Sequence, residues 1–310
     1  MSITRLIANV RRGHSLWRVG AVLGLSLPIF VWVVSLAPVA QDLTYHNFAD
    51  QHWLLGVPHF WNVASNLPFA LIGLLGCRWL VHAGRTSGAF ADPSERLGYF
   101  VFFVGEFLTC FGSGYYHSAP SNETLVWDRL VFSLMLTSFF SIVVTEFVSL
   151  RVGRLILAPM VCLGLYSVLY WAWSELAGRG DLRLYYVVQF YPVIAMPVII
   201  LLFRSRYTGA GAFLLTWALY AVAKACESYD SPIYELTGFW SGHTLKHLVA
   251  AGASYLPLYN LRHRRRRMPA LDDSRLHEAP DEMVTGDQPR PRADHAVRLL
   301  TLPRVVSFED

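Results

Sequence analysis

Apolar residues occur along this chain in blocks of about twenty, the length that an α-helix needs to cross the hydrocarbon core of a bilayer. Short polar segments separate the blocks. The pattern predicts an all-α protein with eight membrane-spanning helices, at residues 19–39, 61–82, 97–117, 129–150, 152–173, 184–203, 210–228 and 243–261. The first block is longer than the apolar region of a typical signal peptide, so we expect it to remain as an uncleaved helix.

The composition agrees with a membrane protein. Hydrophobic residues make up 54% of the 310 positions and charged residues only 15%, whereas about a quarter of a soluble domain is charged. We expect three regions: a basic N-terminus with the first helix at 1–40, a seven-helix membrane domain at 41–261, and a tail at 262–310. The tail is rich in Arg, Asp, Glu and Pro and is predicted to be disordered.

Basic residues concentrate on one side of the predicted helices, and such residues mark cytoplasmic loops. With the N-terminus inside, the outer segments contain Arg179 and Arg183, with Arg129 at a helix end. The inner segments contain Arg11, Arg12, Arg18, Arg85, Arg96, Arg151, Arg154, Arg204, Arg206, Arg262 and Arg264 to Arg267. We therefore expect both termini in the cytoplasm. The short loops favour a multi-pass protein of a bacterial inner membrane, with an endoplasmic-reticulum membrane as the alternative. The basic excess reflects topology, not nucleic-acid binding.

Two groups of polar residues lie inside the apolar blocks or at their ends, and ionisable side chains inside a bilayer are costly and usually functional. Ser113, His117 and Asp128 form the first group, and His243 and His247 form the second. Residues four apart lie on one helical face, so His243 and His247 can bind a single ion. With His117 from another helix, they leave a fourth tetrahedral position open, as a catalytic zinc requires.

The predicted topology places all five residues near the outer face, although more than a hundred residues separate the two groups. Structural roles are the alternatives. A membrane-helix histidine often hydrogen-bonds within the core, and Asp128 would favour a helix start through the dipole. Ser113 lies between two glycines and would permit close helix packing. Axial histidines on two helices would also suit a haem-binding or transport protein.

The pattern SxxxH at Ser113 and His117, followed by Asp128 and by a late HxxxH at His243 and His247, resembles the alkaline ceramidases. Their wider superfamily also includes adiponectin-receptor-like membrane proteins. The segment FWNVASNLPF, which starts at residue 60, looks like the beginning of the first core helix of ceramidases. The resemblance covers residues 45–261. It implies a seven-helix ceramidase-like core, to which helix 19–39 is an addition.

The resemblance implies a zinc-dependent amidohydrolase that cleaves ceramide-like lipids into a fatty acid and a sphingoid-type amine. The three histidines would bind Zn²⁺, and Ser113 and Asp128 would complete the active site. Eukaryotic members also have an acidic calcium-binding cluster before the first core helix. Here His59 replaces the expected glutamate and only Asp50 remains as a nearby acid, so calcium binding is doubtful. A receptor-like or regulatory protein with a structural metal is the alternative from the same superfamily. The oligomeric state is not indicated.

Overall fold

The computed structural model describes residues 16–267, and this part of the chain is helical with no β-strand. The expectations for the basic N-terminus before residue 16 and for the tail after 267 lie outside the described residues. The helices are α1 (Leu16–Ser35), α2 (Phe60–Ala64), α3 (Leu67–Val81), α4 (Arg96–Ser118), α5 (Asn122–Val143), α6 (Leu150–Leu176), α7 (Arg183–Leu202), α8 (Gly211–Ser228), α9 (Asp230–Thr237) and α10 (Gly242–His263).

Six segments of the described chain are helical, long and apolar enough to cross a membrane. They are Trp17–Ser35, Phe60–Val81, Pro93–Ser118, Asn122–Val148, Leu150–Leu176 and Arg183–Leu202. The chain is therefore an all-α protein of the multi-pass membrane type, as the sequence predicts. The two remaining predicted segments, 210–228 and 243–261, are also helices, namely α8 and α10. They are not among the six, so a total of eight spanning helices stays a prediction.

The start of α5 differs from the prediction. Ser121 caps this helix, because its hydroxyl accepts a hydrogen bond from the backbone N–H of Thr124 (3.2 Å) and the Thr124 hydroxyl accepts one from the N–H of Ser121 (3.1 Å). The helix therefore begins at Asn122 and not at residue 129. Asp128 lies in the second turn, where a helix-start role for its carboxylate no longer applies.

The predicted helix 61–82 is divided into α2 and α3 at Ser65 and Asn66. Pro68 lies in the first turn of α3, a position that tolerates proline because its missing N–H would have no partner within the helix. The break turns buried Asn62, Ser65 and Asn66 towards the first turns of α10. These side chains contribute to the site described below.

Glycines allow the helices of the bundle to approach closely, as is typical of membrane helices. A methyl group on Gly73 of α3 would overlap the backbone of α4 at Phe103 and Phe107. A methyl group on Gly112 of α4 would lie 2.7 Å from the carbonyl oxygen of Trp127 on α5. Helices α3, α4 and α5 therefore form one tight group, and α8 packs closely on α10.

Contacts between α7 and α8 are sparse by comparison. The indole N–H of Trp217 on α8 donates a hydrogen bond to the carbonyl oxygen of Val193 on α7 (2.8 Å) and spans this seam. Helix α1 packs mainly on α7, where the hydroxyls of Ser26 and Tyr191 are 2.9 Å apart, and most of its other side chains are exposed. It lies at the periphery of the bundle.

Buried Arg264 fixes the chain just after the end of α10. Its guanidinium forms an ion pair with Glu146 in the middle of the π-helical turn that follows α5. It also donates to the hydroxyl of Tyr99 (3.1 Å) and to the carbonyl of Ala89 (2.9 Å). Breaking a buried pair of this kind is strongly destabilising. The C-terminal end of α10 is thus anchored to α4 and α5, which helps to set the position of the histidines at its other end.

Candidate metal centre

Three buried histidines converge between α4 and α10. His117 lies in the last turn of α4, and His243 and His247 lie in the first two turns of α10. One possible ligand atom from each lies within 4.8 Å of the others, and the ring centroids are 4.7 to 4.9 Å apart. Among residues 16–267, this is the one group of three His, Cys, Asp or Glu side chains that could hold a metal ion.

The first turn of α10 is held in place by polar contacts from its own N-cap and from the start of α9. Ser241 caps the helix through the N–H of Thr244 (3.0 Å). The carboxylate of Asp230 accepts from the N–H of His243 (2.7 Å) and from the N–H of Ala49 (2.8 Å). These hydrogen bonds fix the first turn of α10, and with it the backbone positions of His243 and His247, without a bound ion.

Hydrogen bonding determines which nitrogen of His247 is available. The Ser65 hydroxyl donates to the carbonyl oxygen of Asn62 (3.2 Å) and lies 2.8 Å from Nδ1 of His247. With the hydroxyl hydrogen assigned to Asn62, Nδ1 of His247 is the protonated nitrogen, with the Ser65 oxygen and the Asn62 carbonyl as its acceptors, and Nε2 carries the free lone pair. Metal-binding histidines are commonly oriented in this way by a second hydrogen bond.

The other two histidines also present nitrogens suited to a cation. Nδ1 of His117 is buried and has no hydrogen-bond partner, and such an atom is costly unless a ligand satisfies it. The ring itself contacts Phe48 edge-to-face at 4.7 Å. Nε2 of His243 accepts a hydrogen bond from the ammonium of Lys246 (3.0 Å), because an ammonium only donates. A metal ion at this nitrogen would displace that bond, and Lys246 would keep its ion pair with Glu227 (2.9 Å). The residues therefore fit a bound metal ion.

Ser113 and Asp128 lie on α4 and α5 beside the histidines. The Ser113 hydroxyl lies close to the carboxylate of Asp128 on the neighbouring helix. Both residues line the same cavity as His247. The structure thus brings together all five residues that the sequence singles out, from three helices.

An additional cluster of charges lies in this region. Lys224 and Glu227, three residues apart on α8, form an ion pair. Glu227 also accepts from Lys246 of α10 (2.9 Å), a contact that the sequence reasoning missed. Lys246 follows His243 by three residues, so its place on nearly the same helical face was the available signal. All three charged residues line the cavity.

The cavity has a volume of about 440 Å³ and extends from His247 into the bundle. Its end near His247 is polar. The remaining walls come from α3, α4, α5, α7, α8 and α10 and are mainly apolar, including Phe102, Phe132, Met135, Phe139, Met196 and Ile200. The shape and polarity suit a molecule with one polar group and a long hydrocarbon chain.

The segment before α2 uses its one buried carboxylate within the protein. Asp50 accepts from Nδ1 of His52 (2.7 Å) and from the N–H of Asn62 (2.9 Å). Its backbone carbonyl oxygen accepts from Nδ1 of His59 (2.6 Å). These contacts tie the segment to α2, next to the metal centre.

Three imidazoles form a donor set that suits zinc, copper, iron or nickel, and hard cations such as calcium prefer oxygen. The structure therefore supports a transition-metal site without defining the metal. Comparison of the sequence with protein-family models and with curated proteins finds no match. The function must accordingly be argued from the site and from the sequence pattern.

Proposed function

We propose that this chain is a zinc-dependent membrane amidohydrolase that cleaves the amide bond of ceramide-like lipids, as the resemblance to alkaline ceramidases implies. The products would be a fatty acid and a sphingoid-type amine. The observation that carries the proposal is the convergence of His117, His243 and His247, of which His247 lines the polar end of a deep, mainly apolar cavity. A lipid amide can place its carbonyl at the histidines while its acyl chain occupies the cavity.

Zinc would supply Lewis acidity and a water molecule that ionises near neutral pH. Asp128 is placed to accept a proton from that water as general base and later to protonate the leaving amine. Ser113 lies close to this carboxylate and can orient it. The Ser113 hydroxyl can orient the water or stabilise negative charge that develops on the carbonyl oxygen.

For the membrane arrangement, we propose a seven-helix core from α2 to α10, in which α2 with α3 counts as one span, and a peripheral α1. Both termini would be cytoplasmic and the metal centre would lie near the outer face of a bacterial inner membrane. The exposed surface of α1 supports its role as an addition to the core. The charge distribution of the loops supports the orientation.

The histidine arrangement argues against the haem alternative. The three rings lie edge to face with centroids less than 5 Å apart, which leaves no slot for a flat macrocycle between two of them. An absorption spectrum of the purified protein checks this point, because a haem would give a strong visible band and zinc none.

The test combines metal analysis with turnover of ceramide by the purified protein in detergent. His117→Ala is expected to lose both bound zinc and turnover, whereas Asp128→Ala keeps zinc and loses turnover. His263→Ala is the matched control, since this histidine is on α10 but exposed and bonded to the carbonyl of Tyr259. It should behave as wild type.

Full ceramide hydrolysis by a variant that lacks all three site histidines would refute the proposal. A wild-type protein that retains stoichiometric zinc and releases no fatty acid from any amide lipid would favour the receptor-like alternative with a structural metal.

A further inference from the structure

Glu106 is a carboxyl group in the apolar part of the cavity. It is fully buried on α4 and lines the cavity wall, and neither of its carboxyl oxygens has a hydrogen-bond partner. It precedes Ser113 by seven residues, which is two helical turns or about 10 Å along the helix. The carboxyl group therefore lies well inside the bundle, on the same helical face as the proposed catalytic serine.

The surroundings of Glu106 leave its polar atoms free. Ser254 follows His247 by seven residues on α10, just as Glu106 precedes Ser113 by seven on α4, so the two lie at a similar depth in the bundle. The Ser254 hydroxyl is the polar group that influences the Glu106 carboxyl group most. That hydroxyl already donates to the carbonyl oxygen of Ala251 (2.9 Å). Among the described residues, no lysine, arginine or histidine forms an ion pair with Glu106.

An isolated carboxylate in hydrocarbon is costly, so the group is favoured there as a neutral acid with one donor and one acceptor. Leaving both unused in a buried site is itself unfavourable. A leucine at this position would avoid the penalty and would match the walls on either side, such as Phe102 and Phe139. Glu106 thus places in the wall of the cavity a polar group that the fold does not require.

We propose that Glu106 recognises a hydroxyl group in the middle of the acyl chain of the lipid substrate. This inference rests on the proposed amidohydrolase function for the identity of the substrate. An acyl chain whose carbonyl is at the histidines passes Glu106 about 10 Å further along, near the middle of an extended octadecanoyl chain. A hydroxyl on the acyl chain both donates and accepts a hydrogen bond, so it can pair with the O–H donor and with the C=O acceptor of the neutral carboxyl group at once.

The test compares amide lipids that differ only in the acyl chain: octadecanoyl and its 6-, 10- and 14-hydroxy derivatives. Wild type is expected to show the highest kcat/KM for the 10-hydroxy chain, on the order of tenfold above the plain chain, as one net hydrogen bond provides. Glu106→Leu should lose this preference and hydrolyse the plain chain at least as well. Glu106→Gln keeps a donor and an acceptor and should retain most of the preference.

A binding measurement separates this inference from the proposed function. The affinity of the free octadecanoic and 10-hydroxyoctadecanoic acids is measured by calorimetry on wild type and on Glu106→Leu. If no amide lipid is hydrolysed but wild type still prefers the hydroxy acid and Glu106→Leu does not, the catalytic proposal fails and the recognition role stands. A wild type indifferent to the hydroxyl in both assays, or an unchanged preference in Glu106→Leu, would overturn the inference. Thermal unfolding confirms folding, and Glu106→Leu should unfold at a temperature no lower than wild type.

Discussion

Replacing Ser65 with alanine tests whether the metal centre depends on the orientation of His247. The substitution removes the Ser65 hydroxyl, which lies 2.8 Å from Nδ1 of His247; the Asn66 amide at 3.4 Å only donates, and the carbonyl of Asn62 is the acceptor that remains beside the ring. With metal on Nε2, the Nδ1–H is forced and loses one of its two acceptors, at a cost of about 1 kcal/mol. We therefore expect the zinc Kd to rise by roughly five- to tenfold.

The assay is a competition titration of zinc against a chromophoric chelator at pH 7, with protein in detergent. Ser167→Ala is the matched control, because Ser167 is equally buried and its hydroxyl only donates to the carbonyl of Gly164 in its own helix (2.7 Å). Its zinc Kd should stay within about twofold of wild type. The tautomer argument is wrong if Ser65→Ala folds and binds zinc as tightly as this control.

Two further predictions concern the support of the site and the loop between α6 and α7. Gly242→Ala should lower both zinc affinity and thermal stability, because a methyl group there would lie 2.8 Å from Cα of Asp230 and closer still to the carbonyl oxygen of Cys226. Gly252→Ala is the control in both assays, since Gly252 is on the same helix and has open space around it. The Arg183 guanidinium holds the pKa of Asp181 below its ordinary value. The ionised Asp181 therefore stabilises the folded protein fully above about pH 4, and this contribution is lost as the pH falls through the lowered pKa. Asp181→Asn should be less stable at pH 7 and lose less stability than wild type between pH 5 and 2.5 in thermal unfolding; equal losses would exclude this contribution.

The sequence predicts the helices well where hydrophobicity alone decides. Apolar blocks of bilayer length give the core of each long helix, and the i,i+4 spacing of His243 and His247 is a local property of one helix. The meeting of these residues with His117 is less local. It was predictable because alternating helix direction places both groups near one side of the bundle.

Other features depend on contacts that a hydropathy pattern does not contain. The start of α5 is set by the reciprocal hydrogen bonds of Ser121 and Thr124, in a stretch polar enough to be read as a loop. The break between α2 and α3 and the Ser65 contact to His247 require a polar side chain and a ring nearly two hundred residues apart to meet. The free carboxyl group of Glu106 is visible in the sequence, but its lack of partners is not.

The sparsely packed seam between α7 and α8 has a consequence for kinetics. Side chains of both helices line the cavity. A lipid that enters the cavity between these helices therefore stays within the hydrocarbon core of the membrane. Its encounter rate is then set by its mole fraction among the surrounding lipids and not by its bulk molarity. Adding inert phospholipid at constant substrate would dilute it in two dimensions and slow the reaction in proportion, whatever the volume of buffer.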